Sequence, residues 1–324
     1  MRYISELISE KRACRQEDDC VIINDRERFR GKNRVNVLAL GDVGGMVLTG
    51  LRLLGGSVIE KIGIYDLDEK VMRRYEREIN QIVFPDGREL PHVVMLKEEE
   101  LFDCELFVFC ASKGVPPVGA SGDVRMAQLE ANSGLVSMYG RMAAEHGFTG
   151  VFAVVSDPVD PLCKAAVTAG LEAGQVQGYG LGVMNGRAMY FAQKESRFCE
   201  YLTDGRAFGP HGEDLVIANS IAGYDDDVSR ELTGLVVRSN LDTRADGFKP
   251  YIAPALSSGA LSIIETMKGT WNYSSVYFGY GDDGAFLGCR NRRKAGDICV
   301  ENLSLDEKLF SRIEAAYDNL KEMK

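Results

Sequence analysis

Apolar runs and helical hydrophobic patterns alternate along the first half of the chain. Val35–Leu40 is a continuous apolar run that ends at Gly41 and is too short for a helix, so it predicts a buried strand. After a glycine turn, apolar residues recur at helical spacing through Val47–Leu54, and a second buried strand, Lys61–Asp66, ends in a carboxylate. The pattern therefore predicts a strand–turn–helix–strand unit.

The same alternation continues to residue 156. Further helices are predicted at Glu69–Ile82 and Asp123–His146, and further strands at His92–Leu96, Glu105–Ala111 and Gly150–Ser156. Such an order implies right-handed crossovers and an α/β fold with a doubly wound parallel sheet. The Gly- and Pro-rich segment Ser112–Gly122 follows a central strand, and its composition predicts a lid over a ligand site.

The second half is rich in glycine and predicts an α+β domain. Its predicted strands are Leu215–Ile217, Ser274–Tyr280 and Ile298–Glu301, and its predicted helices are Ala255–Lys268 and Leu305–Lys321. Ser304 is the predicted N-cap of the last helix, with Glu307 at the capping-box position. We divide the chain into an N-terminal extension (1–33, with an added edge strand at Cys20–Ile23), a dinucleotide-binding domain (34–157) and a substrate domain (158–324).

Composition narrows the possible partners. The formal net charge of −10 argues against nucleic acid and anionic membranes, because both bind basic surfaces. No apolar run approaches the roughly 18 residues of a membrane span, and the N-terminus lacks the apolar core of a signal peptide. Eight cysteines without a C-x-x-C pair predict a reduced, cytoplasmic protein, and three histidines argue against a structural zinc site.

The turn Gly41–Gly45 and Asp66 have the physical properties of a dinucleotide site. Glycine lets the backbone approach a pyrophosphate, the helix N-terminus supplies N–H groups, and Asp66 can accept hydrogen bonds from ribose hydroxyls. The usual G-x-G-x-x-G register would place its first glycine at Ala39, so that glycine is missing. Asp66 and Asp68 would repel a 2′-phosphate, and no arginine stands beside them, which favours NAD over NADP.

Six segments, in order, resemble motifs of the lactate/malate dehydrogenase family. They are Ala39–Gly45 (G-x-G-x-V-G-S), Phe109–Pro117 (the start of the substrate loop), Asp123–Asn132 (S-R-x-x-L-x-x-x-N), Val155–Asp160 (V-x-N-P-V-D), Gly178–Arg187 (G-x-G-x-x-L-D-x-x-R) and Gly209–Ser220 (G-E-H-G-D-S-x-V-P-x-W-S). The resemblance runs from about residue 34 to the end. It implies an NAD-binding Rossmann domain followed by the family's α+β C-terminal domain, a small carboxylate substrate, and a homodimer or homotetramer.

Catalytic roles follow from the resemblance, residue by residue. His211 would be the general acid/base, because imidazole titrates near neutral pH. Arg187 would hold the substrate carboxylate through a bidentate fork. Arg125 would approach the substrate as the lid closes, or would be a solvated surface charge. His92 and His146 are predicted to have structural roles. The motifs imply cofactor contacts from Gly41, Asp42, Val43, Gly44, Asp66, Ala111, Ser112, Asn132 and Ser156.

The chain departs from the family pattern at three positions. The asparagine that donates to the substrate oxygen is Asp157, the aspartate that orients the histidine is Met184, and no lid arginine occurs in Lys113–Pro117. These departures argue against lactate or malate in the ordinary mode. Asp157 would steady His211 in place of the missing aspartate, face a substrate amino group, or be protonated and donate like asparagine.

Three functions remain open. The leading one is an NAD-dependent dehydrogenase that acts on the CH–OH group of a small 2-hydroxy acid. The others are an amino- or imino-acid oxidoreductase that uses Asp157, and a catalytically silent NAD-binding protein.

Overall fold

One sheet of eleven strands runs through the molecule, in a computed structural model that describes residues 2–8, 15–17, 20–25, 29, 31–113, 124–294 and 297–323. In chain order the strands are β1 (Arg2–Tyr3), β2 (Arg15–Glu17), β3 (Cys20–Asp25), β4 (Asn33–Leu38), β5 (Ile59–Tyr65), β6 (His92–Met95), β7 (Leu106–Phe109), β8 (Val151–Val154), β9 (Val176–Gly178), β10 (Arg206–Phe208), β11 (Val216–Ala218), β12 (Asn272–Tyr280), β13 (Asp283–Lys294), β14 (Asp297–Glu301) and β15 (Ser304–Leu305). The large sheet has the order β2-β3-β14-β13-β12-β9-β8-β7-β4-β5-β6, and the pairs β1–β15 and β10–β11 form two small sheets.

Helices connect and cover these strands. The α-helices are α1 (Asp42–Leu54), α2 (Glu69–Asn80), α3 (Val124–Glu145), α4 (Val159–Thr168), α5 (Leu181–Lys194), α6 (Tyr201–Asp204), α7 (Asp226–Ala245), α8 (Ser262–Lys268) and α9 (Glu307–Glu322). A π-helical stretch, Pro254–Leu261, leads into α8, and short 3₁₀ turns lie at Ile4–Leu7, Glu98–Glu100 and Ser196–Phe198. Within the described part of the chain, no helix combines the length and apolar character needed to cross a bilayer.

The six strands β6-β5-β4-β7-β8-β9 are all parallel, which confirms the predicted doubly wound α/β architecture. Side chains alternate between the two faces of this sheet, because successive residues of a strand point to opposite sides. In β7, Leu106 and Val108 pack with α1 and α8 on one face. Phe107 and Phe109 pack with α3 and α4 on the other. Both faces are therefore covered, as a parallel sheet requires.

The sheet does not stop at the predicted domain boundary. From β9 it continues through the antiparallel strands β12, β13 and β14, and a third core forms between these strands and α9. The predicted strand at Cys20–Ile23 is present as β3, and it pairs with β14 while β2 forms the edge. The division at residue 157 stays a prediction.

The predicted start of the last helix is wrong. Ser304 lies in β15, where it pairs with Tyr3 of β1, so it does not cap the helix. Asp306 is the N-cap, and its side chain accepts a hydrogen bond from the backbone N–H of Lys308. A long-range strand pairing has thus taken the residue that the local capping pattern favoured.

The turn after β4 holds an unusual backbone conformation. Ala39 has a φ of +69° and is the one non-glycine residue with a positive φ among the residues that the structure describes. It occupies the position at which the G-x-G-x-x-G pattern has its first glycine. The turn thus keeps a left-handed conformation without the residue that adopts it most easily.

We expect Ala39→Gly to raise the free energy of unfolding by about 0.5–1 kcal/mol. Relief of the left-handed alanine contributes about 1–2 kcal/mol, and the added entropy of the unfolded chain offsets about half of it. Urea unfolding curves measure the change. The control is Ala144→Gly within α3, which should lower stability by about 1 kcal/mol. A destabilised Ala39→Gly would contradict the inferred strain.

Candidate functional site

The carboxyl ends of the central parallel strands meet at one edge of the sheet. The connections from β4 and β7 run to opposite sides of the sheet, so a crevice opens beyond their ends. The segments that follow β4, β7, β8 and β9 contain, respectively, Ala39, Ser112, Asp157 and Gly180. Four of the six family-like segments therefore converge at this switch point.

The glycine turn has the shape of a dinucleotide cradle. A Cβ atom placed on Gly44 would lie 1.9 Å from the carbonyl oxygen of Ala39, so only glycine permits this close packing of α1 on β4. A Cβ on Gly41, the N-cap of α1, would meet open space. The first turn of α1, with Val43, thus presents backbone N–H groups to that space, and these residues fit a pyrophosphate.

Asp66 lies at the tip of β5 and is already tied to the turn. Its Oδ2 accepts a hydrogen bond of 2.8 Å from Leu40 N, and its Oδ1 accepts one of 3.0 Å from Asp68 N. Each carboxylate oxygen has a second lone pair and the residue is half-buried. Asp66 can therefore brace the glycine turn and still accept from ribose hydroxyls.

Asp42 is a predicted cofactor contact whose charge opposes that of a pyrophosphate. It is the first residue of α1 and is exposed beside the place that fits a pyrophosphate. Lys249 offsets this charge, with Nζ 3.1 Å from Asp42 Oδ2. The pair is exposed, so it is worth little in stability, but it supplies a cation at the position where a phosphate would need one.

Asn132 connects the loops after β7 and β8. Its side chain is buried, its Oδ1 accepts from Lys113 N at 3.0 Å, and its Nδ2 donates to the carbonyl oxygen of Asp157 at 2.8 Å. Nδ2 also lies 3.4 Å from Ser112 Oγ. One amide therefore fixes the backbone of both loops.

A second cross-loop bond runs parallel to it. The Ser156 hydroxyl donates to the carbonyl oxygen of Ala111 at 2.8 Å. Ala111, Ser112, Asn132 and Ser156, four predicted cofactor contacts, are thus brought together by the structure.

A cavity of about 140 Å³ lies at this meeting point. The residues that line it come from the glycine turn, the strand ends, α5, the loop that carries His211 and the π-helical stretch. They are Val43, Cys110, Ser112, Val155, Ser156, Asp157, Val159, Tyr179, Gly180, Val183, His211, Pro254 and Ser258. Predicted cofactor contacts and predicted catalytic residues therefore share one cavity.

His211 is carried by the loop of the β10–β11 hairpin. Gly209 turns the chain with a φ of +87°, and a Cβ there would lie 2.7 Å from the carbonyl oxygen of Asp214, so glycine is required. Gly209 N also donates to the carbonyl oxygen of Gly288 in β13 at 2.9 Å. Gly180 lies close to the loop, because a Cβ atom placed on Gly180 would be 3.1 Å from His211 Cβ. Glycines thus hold the imidazole close to the strand ends.

The imidazole of His211 faces Asp157. Nδ1 lies 3.3 Å from Asp157 Oδ1, and the histidine side chain is 11% exposed while that of the aspartate is 53% exposed. At this distance the carboxylate can accept a hydrogen bond from Nδ1 once that nitrogen carries a proton. Of the three alternatives for Asp157, the geometry fits the one in which it steadies His211.

Arg187 is not among the described residues that line the cavity. Its Nη2 donates to Asn240 Oδ1 in α7, and its Nη1 lies 3.4 Å from the sulfur of Met184. Burial lowers the pKa of Arg187, and the charge of Asp157 acts in the opposite direction. The guanidinium has five N–H donors, so these contacts leave donors for a carboxylate.

Two predicted features fall outside the described residues. Of the predicted lid segment the structure describes only Ser112 and Lys113. Residues 114–123 lie outside the described part of the chain. Arg125 belongs to the backbone of α3, but its side chain is likewise outside the described part. His92 and His146 are remote from the cavity, and His146 Nε2 lies 3.1 Å from Asp103 Oδ1.

Sequence reasoning missed three polar residues of the site. Ser258 accepts from Val183 N at 2.8 Å and donates to the carbonyl oxygen of Gly180 at 2.7 Å, and it lines the cavity. Asn240 holds Arg187 and gave no sequence signal, since it sits on a helix far along the chain. Asp160 was present in the V-x-N-P-V-D resemblance, but no role was attached to it.

The chain resembles curated L-lactate dehydrogenases at low identity. No protein-family model matches the chain. It is 25% identical over 316 residues to an L-lactate dehydrogenase of Corynebacterium glutamicum, an alignment that covers 90% of this chain and 96% of the relative.

Solved structures agree in fold. A lactate dehydrogenase from a Medee basin deep-sea metagenome library superposes with a TM-score of 0.74 at 18% identity, covering 91% of this chain and 98% of that one. The malate dehydrogenase of Picrophilus torridus gives a TM-score of 0.73 at 16% identity, covering 91% and 96%. At these sequence identities the structural similarity shows only that the fold is shared.

Proposed function

Because this chain is a divergent member of the lactate/malate dehydrogenase family, we propose that it is an NAD-dependent oxidoreductase that interconverts a small 2-hydroxy acid and its 2-oxo acid. The observation that carries the proposal is the His211–Asp157 pair, at 3.3 Å, in the wall of the cavity that the strand ends enclose. An imidazole supported by a carboxylate is the group that such a reaction needs for its proton.

The cofactor would lie across the strand ends. Gly41, Val43 and Gly44 would hold its pyrophosphate, Asp66 would bind the adenosine ribose, and the loops joined by Asn132 would flank the nicotinamide. When bound, NAD accepts or supplies the hydride. The chain itself would provide binding, orientation and the proton.

The chain's own residues divide the remaining work. His211 would take the hydroxyl proton of the substrate through Nδ1, the ring nitrogen on the side of Asp157, and return it in the reverse direction. Arg187 would hold the substrate carboxylate with the donors that Asn240 leaves available. Asp157 would keep the imidazole in position and stabilise its protonated form.

A second candidate function rests on the exposure of Asp157. Its carboxylate is 53% exposed, so it can meet a ligand as well as His211. A carboxylate accepts from an ammonium or iminium N–H and repels oxygen lone pairs, and it therefore favours an amino- or imino-acid substrate. A silent NAD-binding protein is the outcome if no substrate is turned over.

We expect His211→Asn to lower turnover by about 10² or more while NADH binding is unchanged, because proton transfer affects only the chemical step. The measurement is NADH oxidation and NAD reduction with a panel of 2-oxo, 2-hydroxy and 2-amino acids. His146→Asn, which removes a histidine paired with Asp103 outside the cavity, is the matched control. Full turnover by His211→Asn would exclude the proposed mechanism, and no turnover by the unmodified chain would favour the silent alternative.

For the cofactor, we expect NAD(H) to bind at least about tenfold more tightly than NADP(H), a difference of roughly 1.4 kcal/mol. The carboxylate of Asp66 would accept from ribose hydroxyls but repel a 2′-phosphate. Fluorescence titration with NADH and NADPH measures both affinities. Asp66→Asn keeps the side-chain shape and should narrow the ratio, whereas equal affinities for the unmodified chain would remove this role of Asp66.

Asp157→Asn separates the two substrate classes. If the native substrate is an amine, the variant should lose activity on it and gain weak 2-oxo acid reduction, because asparagine can donate to a carbonyl oxygen. If the substrate is a hydroxy acid, turnover should fall while the substrate preference stays the same. Rates with paired 2-oxo and 2-amino acids measure the preference, and an unchanged preference rules out the amine.

A further inference from the structure

Two buried polar atoms, one on His211 and one on Asp160, have no hydrogen-bond partner in the described part of the chain. They are Nε2 of His211 and Oδ1 of Asp160. Unpaired buried polar atoms are rare in native proteins, since each costs about 1–3 kcal/mol. One is an imidazole nitrogen and the other a carboxyl oxygen, so they are chemically complementary.

Asp160 is buried close to the loop that carries Asp157. It is the second residue of α4, which starts directly after the loop that carries Asp157, and it is 3% exposed. The side chain of Ser275, which pairs with Gly178 at the junction of β9 and β12, hydrogen-bonds to its carboxyl group. Asp160 therefore sits in the floor between the parallel strands and the antiparallel half.

The charged groups that act on the pKa of Asp160 are His211 and Asp157. Burial raises the pKa of Asp160 to about 7, and the Ser275 hydrogen bond and the charge of His211 act against that rise while Asp157 adds to it. The thiol of Cys163, one turn along α4, is buried and feels the charge of Asp160. Asp160 and His211 are thus electrostatically coupled, and Asp160 can change its charge near neutral pH.

The imidazole needs an inner partner. Its Nδ1 is engaged by Asp157 on the cavity side, so a proton on Nε2 would point into the interior. In the family-like motif a carboxylate at position 184 would orient the ring. Here Met184 is 2% exposed, and its sulfur contacts Arg187 instead. Helix α5 therefore offers the imidazole no carboxylate at that position.

The structure assigns Asp160 the role of a positioning residue for His211: one bridging water links its buried carboxylate to Nε2, and the carboxylate stabilises the protonated ring from inside. The inference rests on the proposed function only in taking His211 as the proton carrier. Asp160 does not touch the substrate in this scheme. The hydroxyl proton goes to the imidazole, and the proton on Nε2 is then shared with Asp160.

The first test is a histidine titration followed by NMR, with no substrate or cofactor added. The chain has three histidines, so three ring resonances are assigned with His92→Gln and His146→Gln. We expect Asp160→Asn to move the His211 titration to lower pH by about one unit, a tenfold loss of proton affinity, because a neighbouring carboxylate favours the charged ring.

The matched control is Asp103→Asn, which removes the carboxylate beside His146 and should move only that resonance. An unchanged His211 titration in folded Asp160→Asn would overturn the inference. Ser275→Ala is the second variant. It keeps the carboxylate but removes a bond that favours its charged form, so a smaller shift in the same direction is expected. If Asp160→Asn does not fold, an unchanged His211 titration in Ser275→Ala overturns the inference.

Activity gives an independent readout if a substrate is found. The acid limb of the oxidation rate against pH should move down by about one unit in Asp160→Asn. Adding Met184→Asp to that variant should move it back at least in part, because a carboxylate then returns to the ring from α5. A purely structural role for Asp160 predicts lower turnover with the limb unmoved and no rescue. If the His211 titration moves in Asp160→Asn but the unmodified chain turns over no substrate, the proposed function is refuted and this inference is supported.

Discussion

The side-chain amide of Asn132 holds the candidate site together. It is buried on α3 and bonds the backbone of the loops after β7 and β8, one at Lys113 and the other at Asp157. A buried amide must satisfy its donors and acceptor, so the two loops cannot separate without leaving it unpaired. The position of Asp157, and through it the orientation of His211, depends on this constraint.

Much of the parallel half could be predicted from the sequence because its order is local. Strands β7 and β8 are short apolar runs, and helices α1 and α2 begin four residues after the preceding strands end, so period and turn residues suffice there. The antiparallel half could not be predicted in the same way. Strand β3 pairs with β14, which comes from the other end of the chain, and no local pattern encodes that pairing. The same kind of long-range pairing moved the start of α9 from Ser304 to Asp306.

The candidate site shows a similar division. The residues at strand ends could be predicted, because parallel strands necessarily bring Ala39, Ser112 and Asp157 to one edge. What the sequence could not supply was the direction of each side chain. Asn240 reaches Arg187 from α7, and Gly180 lies between His211 and Val159 of α4. These are packing relations between distant segments, which composition and spacing do not encode.

The departures from the family motif compensate one another in charge. Met184 removes a carboxylate and Asp157 adds one, so the number of carboxylates near the imidazole is unchanged while one of them has moved from α5 to the end of β8. The move has a chemical consequence. In the family motif a carboxylate at position 184 would orient the ring, whereas Asp157 is 53% exposed and lines the cavity. The imidazole keeps an anionic partner, but under the proposed function a substrate would meet a hydrogen-bond acceptor instead of a donor. Substrates that bring their own N–H or O–H donor to this position would therefore be favoured over a bare carbonyl oxygen, and the inner side of the ring would be left to Asp160.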